Sequence, residues 1–170
     1  MKNLFIIRHA KAEQYISGQD DHDRNLNQKG KKRALKLSMW LRDIEPKIEK
    51  IFCSSALRTS QTAEIINEGF LNQIPVKIES GLYGASEEEL LNFLLFIDDD
   101  ISSVGLVGHE PGLKQLAIYL AGAYGKGLEN VLNKHFSTSS AIVLVLNVKR
   151  WDQINERAGV ISHYYDSLNA

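Results

Sequence analysis

Leu4-Phe5-Ile6-Ile7-Arg8-His9 is four apolar residues in succession, ending on a cation and an imidazole. A short unbroken apolar run fits a strand buried on both faces of a sheet. In open α/β sheets the ligand crevice lies beyond the carboxyl ends of the strands, so Arg8 and His9 fall where chemistry is done. The arrangement returns at Val104-Gly105-Leu106-Val107, followed by Gly108-His109-Glu110-Pro111. A third run, Ile51-Phe52-Cys53, leads through Ser54-Ser55-Ala56-Leu57 into Arg58. Three run-ends deliver two arginines and two histidines toward one place.

Helical periodicity alternates with these runs, which predicts α/β layers. A polar loop from Glu13 to Arg24 follows the first strand. Asn27 then reads as the N-cap of a helix carrying Leu37, Leu41 and Ile44 on one face, stopped by Pro46. Arg58 to Phe70 reads as a second helix with Ile65, Ile66 and Phe70 inward, and Val76 to Ile78 as a strand after Pro75. Ser86 and Glu89 form a capping-box pattern that opens an apolar helix, Leu90 to Ile97. Pro111 suits the first turn of a helix whose Leu113, Leu116, Ala117 and Leu120 share a face. Gly122 to Gly127 reads as a mobile loop and Ala141 to Val148 as a buried strand. Trp151 to Asn155 and Val160 to Tyr165 read as a final strand pair on the sheet edge. With no repeat, low-complexity tract or linker, the expectation is one domain over residues 1–170. Its fold is three-layer α/β/α with a mostly parallel central sheet and no large cap insertion.

Composition narrows the function classes. The 170 residues are 44% hydrophobic and 24% charged, ordinary for a globular protein. A net charge of -1 gives no reason to expect nucleic-acid binding. Arg8-His9 interrupts an N-terminal apolar run already too short for a signal sequence, and no stretch approaches a membrane span. A cytoplasmic protein is the expectation. The single cysteine, Cys53, has no internal partner and lies in an apolar run, so it reads as a buried packing residue.

Two guanidiniums and two imidazoles suit phosphoryl transfer. That chemistry needs positive groups around charged oxygens and a nucleophile in line with the leaving group. Guanidiniums match phosphate oxygens bidentately. A neutral imidazole can attack phosphorus, and like-charge repulsion from the adjacent Arg8 would hold His9 neutral. A protonated His109 would donate to a phosphoryl oxygen.

At these positions the chain resembles the histidine phosphatase (phosphoglycerate-mutase-like) superfamily. The matching segments are Leu4 to Ala10, Leu26-Asn27-Gln28-Lys29-Gly30, Ser54 to Ala63, and Val107 to Pro111. Within it, the short length is similar to the SixA-type phosphohistidine phosphatases. So are Arg8-His9-Ala10-Lys11-Ala12-Glu13, Gly81-Leu82-Tyr83-Gly84-Ala85 and Phe136-Ser137-Thr138-Ser139-Ser140-Ala141. The resemblance implies that His9 is the nucleophile and that Arg8, Arg58 and His109 complete the phosphate pocket. It implies hydrolysis of phosphohistidine on a protein partner, such as a phosphotransfer domain or carrier. The intermediate would be phospho-His9 and the product inorganic phosphate, with no cofactor and no metal.

Two departures bear on the substrate. Larger members usually have Gly where this chain has Ala10. Many place a proton-donating Glu after a Leu between the second Arg and second His, where Leu82 is followed here by Tyr83 and Gly84. A phosphorylated imidazole can carry its own proton on the leaving ring, whereas an alkoxide needs an acid more urgently. The short segment from Arg58 to His109 leaves little chain for a cap, and an uncapped shallow pocket suits a substrate presented on a protein surface. The alternatives are a phosphatase of small phosphomonoesters, a non-catalytic binder of phosphorylated proteins, and a metallohydrolase using His22, Asp23 and another histidine.

The remaining features read more plainly. Glu110 and Glu87 to Glu89 sit at helix starts, where a carboxylate complements the dipole. Gly30 costs helix stability and implies a packing reason. Lys29, Lys31, Lys32 and Arg33 read as a solvated helix face, and His22 as loop surface. His135 and His163 have no motif context, and Lys11 and Arg24 are left without a role.

Overall fold

Alternate residues of the first apolar run face two different cores. In the computed structural model, which describes residues 1–170, Lys2–Arg8 forms β1. Leu4 and Ile6 join the core on one side of the sheet, and Phe5 and Ile7 the core on the other. Burial on both faces explains the continuous apolar run, while the buried Lys2 at the start of the strand donates through Nζ to the Asp99 and Ile101 carbonyls.

Six further strands complete one sheet: β2 (Lys50–Ser54), β3 (Val76–Glu79), β4 (Ser103–Gly108), β5 (Ala121–Tyr124), β6 (Ala141–Leu146) and β7 (Gly159–Tyr165). Their order is β3-β2-β4-β1-β6-β7-β5. Only β6 runs against its neighbours, so the sheet is mostly parallel. Helices α1 (Gln28–Asp43) and α2 (Leu57–Glu68) supply Leu37, Leu41, Ala63 and Ile66 to one face. Helices α3 (Glu87–Leu95) and α4 (Gly112–Leu120) supply Leu90, Leu94, Leu113 and Leu116 to the other. Each such leucine contributes roughly 1.5–3 kcal/mol by leaving water. The result is three-layer α/β/α with no large insertion.

This winding places the site. From β1 the chain crosses toward β3 with its helices on one face. From β3 it returns toward β5 with its helices on the other, as right-handed crossovers require. At the adjacent carboxyl ends of β1 and β4 the outgoing chains therefore part toward opposite faces. That opens a crevice at His9 and His109.

Local chemistry explains the element boundaries. Asn27 caps α1 by accepting from the Gly30 N–H, at 2.8 Å. Ser86 and Glu89 form the reciprocal capping box of α3. Cys53 is fully buried, and burial, with Glu64 adding to it, pushes its thiol up to about 11.

Three expectations fail at the far end of the sheet. Trp151–Gln153 is a 3-10 turn, not a strand. Its fully buried indole must find an acceptor, and Nε1 donates to the Ile101 carbonyl at 2.8 Å. Strand β7 lies between β6 and β5 and so is not the edge. The edge is β5, formed from the first part of the segment expected to be a loop, because α4 runs directly into parallel pairing with β7. No helix is long and apolar enough to cross a membrane.

Candidate active site

The backbone of Arg8 and His9 is clamped from both sides. Arg8 N–H donates to Ser140 O and His9 N–H to Gly108 O, while Ser139 N–H approaches the carbonyls of both residues. The next residue is tied to a different element, since Ala10 N–H donates to Thr62 Oγ1 at 2.9 Å and Thr62 Oγ1 donates to Arg58 O. The end of β1 is thereby fixed to the first turn of α2, which carries Arg58.

Three of the four expected side chains meet directly, and the charge of the fourth, Arg8, reaches both histidines. The His9 and His109 rings are 5.2 Å apart between centroids. Arg58, 5% exposed, lies between them, with Nε 3.4 Å from His9 Nε2 and a terminal nitrogen 3.4 Å from His109 Nδ1. Arg8 donates through one terminal nitrogen to Phe136 O at 2.7 Å.

Hydrogen-bond partners assign both tautomers. His9 Nδ1 is 2.7 Å from the Ala10 carbonyl, which can only accept, so Nδ1 carries the proton and Nε2 keeps its lone pair. His109 Nδ1 faces Arg58, which can only donate, so its Nε2 donates to Ser54 Oγ at 2.8 Å. Burial, more than charge, holds both rings neutral. It lowers the His9 pKa to about 3, opposed by the Ala10 carbonyl and aided by His109, Arg58 and Arg8. It lowers the His109 pKa to about 4, with Arg58 adding to the effect and Asp21 opposing it. The expected repulsion from Arg8 is present, but it is the smallest of the causes. With its pKa lowered to about 4, His109 is neutral near pH 7, so a donating imidazolium there requires an arriving phosphoryl group to raise its pKa.

The polar loop contributes what the sequence did not reveal. A 3-10 turn, Asp21–Asp23, lies against the site. Arg58 donates to the Asp21 carbonyl at 2.7 Å and to its carboxylate at 3.0 Å. Arg24 and the Tyr83 hydroxyl also donate to that carboxylate, at 2.9 and 2.8 Å. Burial works against the charged form, but Tyr83, Arg24 and Arg58 outweigh it and hold Asp21 at about 2. His22, expected on the loop surface, is partly buried; its Nε2 meets Ser55 Oγ at 3.0 Å and its ring packs edge-on against Tyr83. The site is therefore not bare. Its cover comes from the segment between β1 and α1, not from the segment between Arg58 and His109, which leaves little chain for a cap. Only an acidic cluster beside an anion pocket marks this turn in the sequence, and charge sign alone argues against placing it there.

The other candidates separate cleanly. Glu110 accepts from Lys114 N–H at the start of α4, as a helix N-terminal carboxylate should. Gly30 is pressed against the Lys11 carbonyl, leaving no room for a Cβ. Arg33 is half-buried, unlike the exposed Lys29, Lys31 and Lys32. A cavity of about 490 Å³ between β3 and α3, lined by Phe52, Leu82 and Phe93, lies away from the histidines. It offers no group that transfers phosphate, so chemistry and not volume locates the site.

Residues 4–86 match the model of the histidine phosphatase superfamily (branch 1). The uncharacterized protein ML1117 of Mycobacterium leprae is 32% identical over 154 residues, covering 87% of this chain and 91% of its own. The chain belongs to the histidine phosphatase superfamily. Among solved structures, a protein from Nakamurella multipartitia assigned as a phosphohistidine phosphatase SixA superposes with a TM-score of 0.82. It is 26% identical, with 97% of this chain and 95% of that one covered. A protein histidine phosphatase SixA solved with tungstate gives a TM-score of 0.77 at 21% identity, with 98% of each chain covered, and shows the shared fold.

Proposed function

We propose that this histidine phosphatase superfamily member hydrolyses phosphohistidine on a protein partner, with His9 as nucleophile. One observation carries the reading: His9 is a buried neutral imidazole whose Nδ1 proton is tied to Ala10 O and whose free Nε2 faces Arg58. Such a nitrogen can attack phosphorus without first losing a proton. The N–P bond of the substrate breaks, and its imidazole leaves with the electron pair and the proton already on its other nitrogen. Arg8, Arg58 and His109 hold the transferring oxygens. Water then attacks phospho-His9, the second N–P bond breaks, and the proton of water leaves with inorganic phosphate. His9 returns to its neutral tautomer, and no step calls on a metal or cofactor.

Similarity to the SixA structures supports the substrate class, as does the absence of a Glu at the Tyr83-Gly84 position. The test uses wild type and His9→Ala with a phosphohistidine peptide, EDTA present throughout, and sugar phosphates in parallel. The expected result is phosphate release from the peptide by wild type, reduced about a thousandfold or more in the variant. A large preference for sugar phosphates would move the assignment to small phosphomonoesters. Binding without turnover would make the chain a reader of phosphorylated proteins. Activity lost to EDTA and restored by zinc would favour a metallohydrolase.

A further inference from the structure

A second concavity adjoins the site on the other side of Arg8. Its volume is about 270 Å³, and its walls include Arg8, Lys11, Arg33, His135, Ser137 and Thr138. Three permanent cations thus come together from the end of β1, the following loop and α1, and no carboxylate lines the space. Glu110, whose field reaches Arg8 and His135, is half-buried and accepts from Lys114 N–H instead. Like charges gathered around one cavity repel unless an anion sits among them.

The polar lining points the same way. Ser137 is 4% exposed and its Oγ has no hydrogen-bond partner, and the buried Nε of Arg8 has none either. Buried donors without partners are uncommon in folded proteins, and both belong to residues that line this basic cavity. The Lys11 backbone is fixed by its carbonyl, which accepts from Asn27 N–H and packs on Gly30.

We infer that this groove is a second anion subsite, which takes a carboxylate carried by the phosphorylated protein beside its phosphohistidine. The inference rests on the proposed phosphohistidine reading. Arg8 belongs to both sites, so the carboxylate binds within one side chain of the phosphoryl group. Lys11 and His135 are exposed, which leaves the groove open to a side chain arriving on a protein surface. Aspartate and glutamate are the anions such a surface supplies without modification.

The test compares wild type with the double variant Lys11→Gln/Arg33→Gln on two phosphohistidine peptides that differ only in a neighbouring Glu or Gln, and on phosphoramidate. Wild type should favour the Glu peptide about tenfold in kcat/KM, through KM. The variant should lose that preference and keep phosphoramidate hydrolysis within about twofold. No preference in wild type, a preference the variant retains, or an equal loss on phosphoramidate would overturn the subsite. Calorimetry with 3-phosphonopropionate and propylphosphonate separates this failure from failure of the functional reading. If neither peptide turns over, the phosphohistidine reading falls, and the subsite stands only if wild type, but not the variant, binds the carboxylate-bearing phosphonate more tightly.

Discussion

Arg58 spends two of its donors on Asp21, at 2.7 and 3.0 Å, in the place where phosphate oxygens should lie. A carboxylate held ionised there orients the guanidinium and also repels an incoming dianion. Asp21→Asn keeps the hydrogen-bonding shape and removes the charge. We expect inorganic phosphate to inhibit this variant about five- to tenfold more tightly than wild type, measured by product inhibition. Unchanged inhibition would mean that the turn already swings clear of Arg58 before phosphate binds. Arg8, His9, Arg58 and His109 stand out in the sequence because a cation or an imidazole follows an apolar run, directly at Arg8-His9, after Gly108 at His109, and through Ser54 to Leu57 at Arg58. Asp21, Ser54 and Tyr83 do not. Their roles depend on contacts across 62 positions for Asp21 with Tyr83 and 55 for His109 with Ser54, and no local pattern encodes those contacts.

Among the elements, the helices with chemically marked starts begin where the sequence predicts. Asn27 and Ser86 each accept a backbone N–H three residues on, which is why their helices begin where the side-chain pattern says. Replacing Ser86 with Ala should cost about 1 kcal/mol in chemical denaturation, with phosphate release unchanged. A loss of turnover without loss of stability would place the start of α3 in the site. Gly30→Ala tests an element junction instead. The new methyl would press on the Lys11 carbonyl, two residues past His9, and should cost about 1–3 kcal/mol, with a measurable fall in kcat. Gly122 to Gly127 and Trp151 to Asn155, where the structure departs from expectation, lack clear periodicity, and the turn at Trp151 is capped only from its own far end, by Gln153 Oε1 accepting from Arg150 N–H. Their form is set by what remains to be covered: an open sheet edge next to β7, and an indole that needs an acceptor.

At the scale of the whole molecule, the winding that opens a crevice between β1 and β4 also buries two histidines at its floor, and this ties stability to pH. The folded pKa values are about 3 for His9 and about 4 for His109, against roughly 6.5 in an unfolded chain. As pH falls below about 6.5 the unfolded chain binds protons that the folded one refuses, so stability declines toward the folded values. Above about 6.5 neither histidine contributes any slope. Asp21, lowered to about 2, adds a further loss once pH drops below the ordinary carboxylate range. Thermal melts should therefore be flat from about pH 8 to 7 and fall steadily below about pH 6; a flat profile down to about pH 4 would contradict the buried neutral pair. The winding itself was foreseeable from alternating runs and right-handed crossovers, whereas the strap over Arg58 needed the folded chain. The claim that everything else serves is that this crevice passes the phosphoryl group through His9. The most direct test mixes the protein with a phosphohistidine peptide, quenches in alkali within milliseconds, and follows intact mass and peptide mapping. We predict a transient phosphoryl adduct on the peptide that contains His9, absent in His9→Ala. Full turnover with no adduct at any time, or an adduct on another residue, would contradict the account.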